Sequence, residues 1–200
     1  MGLYRIMADL PQYCMYFSPL TDAALHDLLQ ATETRTYRKG QYLLRKNQTC
    51  NHLFFINAGL VKSFFFSGDK QFVMRFFAEN VLFSVFDSYT SRAPSNCMLI
   101  ALESTTVTTI DYDSMAALCQ AHHCIETFFR KLLSVATTKM MKRIGEMLEG
   151  KATERYNQFA AENGAIMQRI SLGDIANYLG ITQQSLSRIR AAKHYLPKGK

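Results

Sequence analysis

Residues 170–190 have the sequence ISLGDIANYLGITQQSLSRIR, and the order of residue types predicts two short helices joined by a sharp turn. Ser171 is a helix-capping residue, and the acidic Asp174 three positions later favours a helix N-terminus. Gly180 supplies the left-handed backbone that a tight turn needs, and Thr182 caps the second helix. The segment therefore predicts a helix-turn-helix unit.

The second helix of this unit is expected to present a polar face. At 100° per residue, Ser185, Leu186 and Ile189 share one side, and the residues that point away from it are Gln184, Ser187, Arg188 and Ala191. Gln can pair with adenine, and Arg can pair bidentately with guanine, in the major groove of DNA. An ordinary surface helix is the alternative, because Gln and Arg are common there. Six Lys or Arg against one Asp after residue 163 favour contact with DNA.

The charge of the whole chain is unevenly distributed. The 200 residues carry a net charge of +7, and residues 1–124 hold 10 Lys or Arg and 10 Asp or Glu. Residues 125–200 hold 13 Lys or Arg and 6 Asp or Glu, so they carry the whole excess of positive charge. A neutral part joined to a basic part suggests a sensing half and a half that meets phosphate. A solvated basic face is the alternative interpretation of this charge.

The first part of the chain has the pattern of an antiparallel β-protein. After a predicted amphipathic helix at 21–32, short segments rich in Phe, Val, Ile and Thr alternate with turn signals from residue 34 to 111. The clearest predicted strands are 53–56, 60–66, 71–77, 98–102 and 105–110. Evenly spaced strands with no helix between them predict a sandwich or barrel, most simply a jelly roll.

A long helix is predicted at 125–148, between a brief helix at 112–121 and another at 153–162, with a hinge at 149–150. Its apolar residues recur every three or four positions. This stripe packs either on the sandwich or on a second copy of itself, and a mean spacing near 3.5 favours a dimer. The predicted dimer interface comprises Phe129, Leu133, Ala136, Met140, Ile144 and Met147.

The order of these parts, with the phrase DIANYLGITxxSLSR at 174–188, resembles the cyclic-AMP receptor and fumarate-nitrate regulator (Crp/Fnr) superfamily of bacterial transcription factors. The resemblance covers nearly the whole chain. It implies base reading by Gln183, Gln184 and Arg188. Only Arg188 matches the residue that is common in the family at its position, so the operator sequence should differ from the one that the family commonly reads. The residues expected to contact phosphates are Thr182, Ser187, Arg190 and Lys193, with Lys198 and Lys200.

The resemblance extends to the sandwich, where residues 55–61 match a strand-turn-strand that carries the structural Gly59. Asn47 and Asn80 stand where glycine is frequent in the family, and Asn tolerates positive φ. The family binds a cyclic nucleotide through a Gly-Glu pair and an Arg-Ser/Thr-Ala stretch. The corresponding stretches of this sequence contain neither the carboxylate nor the cation. We therefore do not expect cyclic AMP as the effector. The candidate effector pocket comprises Ser84, Val85, Arg92, Ser95 and Asn96, with Arg92 reaching the phosphate position only after a loop shift.

Several classes of protein are not expected. No apolar run reaches the roughly 18 residues of a membrane span, and no secretory signal precedes the first helix, so we expect a cytoplasmic protein. The five cysteines are scattered, which suits reduced thiols. Cys119, His122, His123 and Cys124 match no standard metal site, so no metal or other cofactor is predicted. No His or Cys arrangement marks a catalytic centre, so an enzyme is not expected.

The predicted fold is α+β in three parts. Residues 1–115 form an N-terminal helix and a jelly-roll sensor domain, 116–150 the connecting and dimerisation helices, and 151–200 a helix-turn-helix domain without a C-terminal wing. The predicted function is a homodimeric, sequence-specific transcriptional regulator that binds a near-palindromic DNA operator, with an effector other than cyclic AMP or none. RNA polymerase is a further candidate partner. The alternative is a small-molecule-binding or protein-docking module whose basic helices contact an acidic partner.

Overall fold

The computed structural model describes residues 9–195, with the backbone alone for Glu149 and residues 193–195. Two helices precede the first strand, α1 (Leu10–Phe17) and α2 (Asp22–Gln30). Asp9 caps α1 by accepting from the Gln12 N–H at 2.9 Å, and Thr21 caps α2 in the same way. The sequence analysis did not predict α1. It placed α2 correctly but extended it too far, because Thr32 already belongs to the first strand.

Eight strands form two four-stranded antiparallel sheets, which confirms the predicted jelly-roll fold. The strands are β1 (Thr32–Tyr37), β2 (Tyr42–Leu44), β3 (His52–Ala58), β4 (Val61–Ser67), β5 (Lys70–Phe77), β6 (Leu82–Phe83), β7 (Met98–Ala101) and β8 (Thr105–Asp111). One sheet has the order β1-β8-β3-β6 and the other β2-β7-β4-β5. Side chains from both sheets meet in the main core, which includes Leu53, Phe55, Leu99 and Val107.

The expectation of strands without an intervening helix is wrong at one place. A short helix, α3 (Phe86–Ser91), lies between β6 and β7. Its hydroxyl side chains hydrogen-bond within the helix: Thr90 donates to the Phe86 carbonyl and Ser91 to the Asp87 carbonyl. Tyr89, which is 1% exposed, packs α3 into the main core.

The turns of the sandwich use the residues that the sequence indicated. Asn47 and Asn80 adopt φ of 64° and 63°, as expected for asparagines at glycine-like positions. Gly59 has φ of 107°, and a Cβ built on it would lie 2.6 Å from the Thr105 Cα. Both the backbone angle and this close approach exclude a side chain at residue 59.

Most of the remaining described residues are helical. The helices are α4 (Tyr112–Ala121), α5 (His123–Glu149), α6 (Ala152–Asn163), α7 (Leu172–Leu179) and α8 (Gln183–Tyr195), with a single 3₁₀ turn at Met167–Arg169. The first half of α5 packs on the sandwich through the buried Ile125, Phe128 and Leu132. Among the described helices, none is long and apolar enough to cross a membrane.

A second core joins the last three helices to the sandwich. The sandwich contributes Leu60 and Phe76, the segment before α7 contributes Ile170, and the helices contribute Tyr156, Phe159, Ile175, Leu179 and Leu186. Helix α7 packs directly on β5, and α8 packs on α7.

Candidate DNA-binding surface

The turn between α7 and α8 has the hydrogen bonds of a tight helix-turn-helix. The Ser171 hydroxyl accepts from the Asp174 N–H at 3.0 Å and so caps α7. Gly180 ends that helix with φ of 70°, and the next amide, of Ile181, donates to the Ala176 carbonyl at 3.0 Å. The Thr182 hydroxyl then accepts from the Ser185 N–H at 3.1 Å, which caps α8. These bonds fix where α8 begins.

Helix α8 buries one face and exposes the other. Leu186 is 1% exposed and belongs to the second core, with Ile189 packed partly against it. The exposed residues of α8 whose side chains are described are Gln183, Gln184, Ser187, Arg188, Ala191 and Ala192. Every residue expected to point outward is thus at the surface. Sequence reasoning did not foresee that the Gln183 amide lies against Gly173 of α7, where an added Cβ would come within 2.7 Å of it.

The candidate phosphate-binding residues lie around this face in different environments. Thr182 and Ser187 are exposed, and Arg190 is half-buried. Lys193 is within α8, whose backbone alone is described there, and Lys198 and Lys200 lie outside the described residues. The expected lack of a wing concerns residues that also lie outside the described part.

The second half of α5 exposes a row of large apolar side chains. Met140, Ile144 and Met147 are 52%, 44% and 45% exposed, whereas Phe129, Leu133 and Ala136 are half-buried. The Phe129 ring packs against Tyr89 at 6.3 Å between centroids, so the start of the stripe belongs partly to the sandwich core. Met141 and Leu148, which the sequence analysis did not include, are also exposed. The apolar face without a described partner is therefore on the C-terminal half of α5.

Comparison with known proteins matches this architecture. Residues 34–122 match the family model described as a cyclic nucleotide-binding domain. Similar solved structures include FixK2 from Bradyrhizobium japonicum, with a TM-score of 0.73 at 17% identity, covering 82% of this chain and 84% of that chain. A protein from Eubacterium rectale assigned to the crp/fnr family of transcriptional regulators has a TM-score of 0.70 at 16% identity, covering 88% and 84%. The chain has the Crp/Fnr fold.

Another structure with the Crp/Fnr fold is that of CLP, the c-di-GMP responsive global regulator of Xanthomonas campestris. Its TM-score is 0.69 at 13% identity, and the alignment covers 87% of this chain and 92% of that one. No curated protein matches the sequence. The resemblance found in the sequence is thus confirmed for the fold of most of the chain.

The matched family model is that of a cyclic nucleotide-binding domain, and the residues present here do not fit such a ligand. Arg92 is the nearest candidate for the phosphate, but its guanidinium donates to Asn51 Oδ1 at 2.8 Å and lies 4.2 Å from the centroid of the Tyr112 ring. Ser84 donates to the His52 carbonyl at 2.9 Å. Asp87, the carboxylate of α3, is exposed. A buried cation and carboxylate facing one cavity are not found among these described residues.

The other members of the candidate effector pocket are also engaged or at the surface. Val85 is buried and Asn96 is exposed, whereas the Ser95 hydroxyl accepts from the Cys97 N–H at 2.9 Å. Two open clefts of the described chain lie elsewhere, one between α2 and α4 and one between α5 and α6. Ser84, Arg92 and Ser95 thus hydrogen-bond to residues 47–52, and none of the five residues lines either cleft.

The Cys and His group near α4 is engaged in structural contacts. His122 Nε2 lies 2.8 Å from Asp27 Oδ2, which ties the start of α5 to α2. Within residues 9–195, no three His, Cys, Asp or Glu side chains are arranged to hold a metal ion. Burial raises the pKa of the Cys119 thiol to about 11, with Glu126 adding to the shift. This thiol is therefore protonated at neutral pH.

Proposed function

We propose that this protein is a homodimeric, sequence-specific DNA-binding transcriptional regulator. Its effector is something other than cyclic AMP, or it has none. We assign it no enzymatic role, in keeping with structural neighbours that are named as regulators.

The observation that carries the proposal is the division of α8 into two faces. Leu186 fixes the helix on the second core, while Gln184, Ser187 and Arg188 remain exposed on the opposite side. An amide and a guanidinium one turn apart, with small residues beside them, can approach base edges in the major groove. Arg190 and Lys193 follow on the same helix as candidate phosphate contacts, and the capped N-terminus at Thr182 offers free amides to another phosphate.

The proposed dimer would form along the second half of α5. Three methionines, one isoleucine and one leucine are exposed there: Met140, Met141, Ile144, Met147 and Leu148. An exposed apolar row of this kind is typical of an interface. A two-fold axis along α5 would place two α8 helices on successive major grooves, about 34 Å apart, so the operator should be nearly palindromic.

The effector part of the proposal is supported by the contacts that the polar side chains around α3 already make within the protein. Arg92 has Asn51 and Tyr112 as partners, and Ser84 bonds to the backbone of β3. A cyclic nucleotide would have to displace these groups and would still lack a buried carboxylate for its ribose. We therefore expect cyclic AMP and cyclic GMP to leave the melting temperature unchanged.

The function is tested by selecting bound duplexes from a random pool with the full-length protein, with and without cyclic nucleotides. We expect one enriched, nearly palindromic sequence whose binding weakens steeply with salt. Recovery of no preferred duplex would contradict the proposal. Binding to any polyanion alike, such as heparin, would instead favour the alternative of a basic docking module with an acidic partner.

A further inference from the structure

An ion pair joins the helix-turn-helix unit to the sensor sandwich. Lys62 of β4 donates through Nζ to Asp174 Oδ1 of α7, and the two side chains are only 9% and 14% exposed. The same ammonium also lies 3.4 Å from Gln71 Oε1. The second oxygen of Asp174 accepts from the Ser171 hydroxyl at 2.9 Å. One carboxylate therefore links the cap of α7 to the sheet.

A second anchor lies just before α7. The Arg169 guanidinium donates to Glu79 at 2.7 and 3.0 Å and also to both oxygens of Glu103. The hydrogen bonds that it donates to these two carboxylates raise the pKa of Arg169. Glu79 in turn accepts from the Gly59 N–H at 2.9 Å, so the anchor reaches the turn between β3 and β4. Arg–carboxylate bonds of this forked kind fix orientation as well as distance.

Aromatic rings fill the space between the anchors. Tyr178 of α7 lies 5.6 Å from Phe76 of β5 and 4.7 Å from Phe159 of α6, measured between ring centroids. Beside them, the Asn177 amide donates to Gln71 Oε1 at 3.2 Å. The interface thus combines an apolar centre with charged contacts at its edge, and it holds α7 in one orientation on the sheet.

The exposed face of α8 takes no part in these contacts. Gln184, Ser187 and Arg188 are exposed, whereas the anchoring residues belong to α7 and the segment before it. Docking therefore leaves the proposed base-reading face free. An arrangement that leaves this face free is compatible with binding DNA while docked.

We propose that Lys62 is a positioning residue for DNA binding: from the sensor sandwich it holds α7, and through α7 the exposed face of α8, in the orientation that a duplex with two half-sites requires. This inference rests on the proposed function. If Lys62 no longer held α7, the two helix-turn-helix units of a dimer would sample more orientations. That freedom would have to be lost when both half-sites are bound, which costs affinity.

The test compares Lys62→Met with Lys62→Arg and with Lys46→Met, a control on the exposed turn between β2 and β3. Each full-length protein is titrated with a duplex containing two half-sites and with one containing a single half-site. We expect Lys62→Met to weaken two-half-site binding about 5-fold or more, while single half-site binding and the salt dependence stay unchanged. Lys62→Arg should restore most of the affinity, and the control should match the wild type.

The outcomes separate positioning from other roles. Equal losses on both duplexes, or a loss with Lys62→Arg as large as with Lys62→Met, would overturn the inference, because charge-dependent orientation would not be the cause. Two-half-site binding that is unchanged or tighter would also overturn it. If Lys62→Met does not fold, Glu103→Gln weakens the second anchor at a half-exposed carboxylate and should reduce two-half-site binding in the same selective way.

Hydrogen exchange without DNA separates this inference from the proposed function. In Lys62→Met the amides of α7 should exchange faster than in the wild type, whereas those of β3 should not change. If the wild type binds no duplex, the proposed function fails, and this measurement alone still reports whether Lys62 anchors α7. Unchanged exchange in α7 would overturn the anchoring role itself.

Discussion

Arg143 of α5 stacks on Tyr178 of α7, with 3.7 Å between its guanidinium carbon and the ring centroid, and donates to the Tyr178 carbonyl. The side chain is only 8% exposed, although it stands on the helix that we propose as the dimer seam. Burial lowers the pKa of this guanidinium, partly offset by Tyr178 and Glu146. One arginine therefore connects the proposed dimer helix with the proposed DNA-binding unit.

Removing this connection should destabilise the protein. Arg143→Ala leaves the Tyr178 carbonyl without this donor and opens a gap against the ring, so we expect a loss of about 1–3 kcal/mol in the free energy of unfolding. Urea denaturation of the full chain measures it. Arg130→Ala is the matched control on the same helix, 66% exposed, and should change stability by less than about 0.5 kcal/mol. Equal effects of the two variants would show that the Arg143 stack contributes nothing specific.

The two arginines of α8 should separate base reading from phosphate binding. Arg188→Ala should relax the preference for one base pair of the selected duplex by about 1–3 kcal/mol. Arg190 lies two residues later and is half-buried. Arg190→Ala should weaken binding to all duplexes alike and lower the slope of log affinity against log salt concentration by about one. Competition binding with single-base variants of the duplex measures both. A uniform loss for Arg188→Ala would remove it from the base-reading set.

A charge on the exposed row of α5 should prevent dimer formation. Ile144→Glu places a carboxylate at a side chain that is 44% exposed in the single chain and would be buried in a dimer, so we expect monomers in sedimentation. Thr138→Glu is the control, because Thr138 is exposed and lies on another side of α5. The control should keep the wild-type mass. An unchanged mass for Ile144→Glu would mean that α5 is not the seam.

Acid should loosen the second anchor. Burial alone would raise the pKa of Glu79, but hydrogen bonds from Arg169 and the Gly59 N–H lower it overall. A carboxylate with a lowered pKa in the folded state stabilises that state fully above its ordinary value of 4.5, and the contribution is lost as the pH falls through the folded value. We therefore expect melting temperature to fall below about pH 4.5 less steeply in Glu79→Gln than in the wild type.

The control for this pH profile is Asp69→Asn, in the exposed turn between β4 and β5. It should leave the slope of melting temperature against pH as in the wild type. Identical slopes for Glu79→Gln and the wild type would mean that the Arg169 anchor does not contribute to acid sensitivity.

Local signals in the sequence predicted local structure well. Ser171, Gly180 and Thr182 gave the helix-turn-helix because caps and positive-φ turns depend on neighbours within four residues. Asn47 and Asn80 were expected at positive φ from the family resemblance, because glycine is frequent at those positions. The long helix followed from periodicity, and five of the eight described strands followed from residue types and turn signals.

Contacts between distant segments could not be predicted in this way. Lys62 and Asp174 are 112 positions apart, and Asp174 already had an explanation as a capping residue. Arg169 carried no motif at all, although it bonds to two carboxylates. The helix α3 was missed because the residues that hold it, the buried Ser88 and Tyr89, contact distant segments: Ser88 accepts from the Cys50 N–H, and Tyr89 packs on Phe129. Such features depend on which strands become neighbours, and a single sequence does not specify that pairing.

The second core has a consequence for the independence of the two ends of the chain. Leu60 and Phe76 complete the packing around Phe159 and Tyr178, so the sheet forms part of the hydrophobic core of the last helices. If residues 151–195 were transferred to another protein, these rings would be exposed to water. The remaining sandwich would have an exposed apolar patch on one sheet. The molecule should therefore melt as a single cooperative body rather than in two steps.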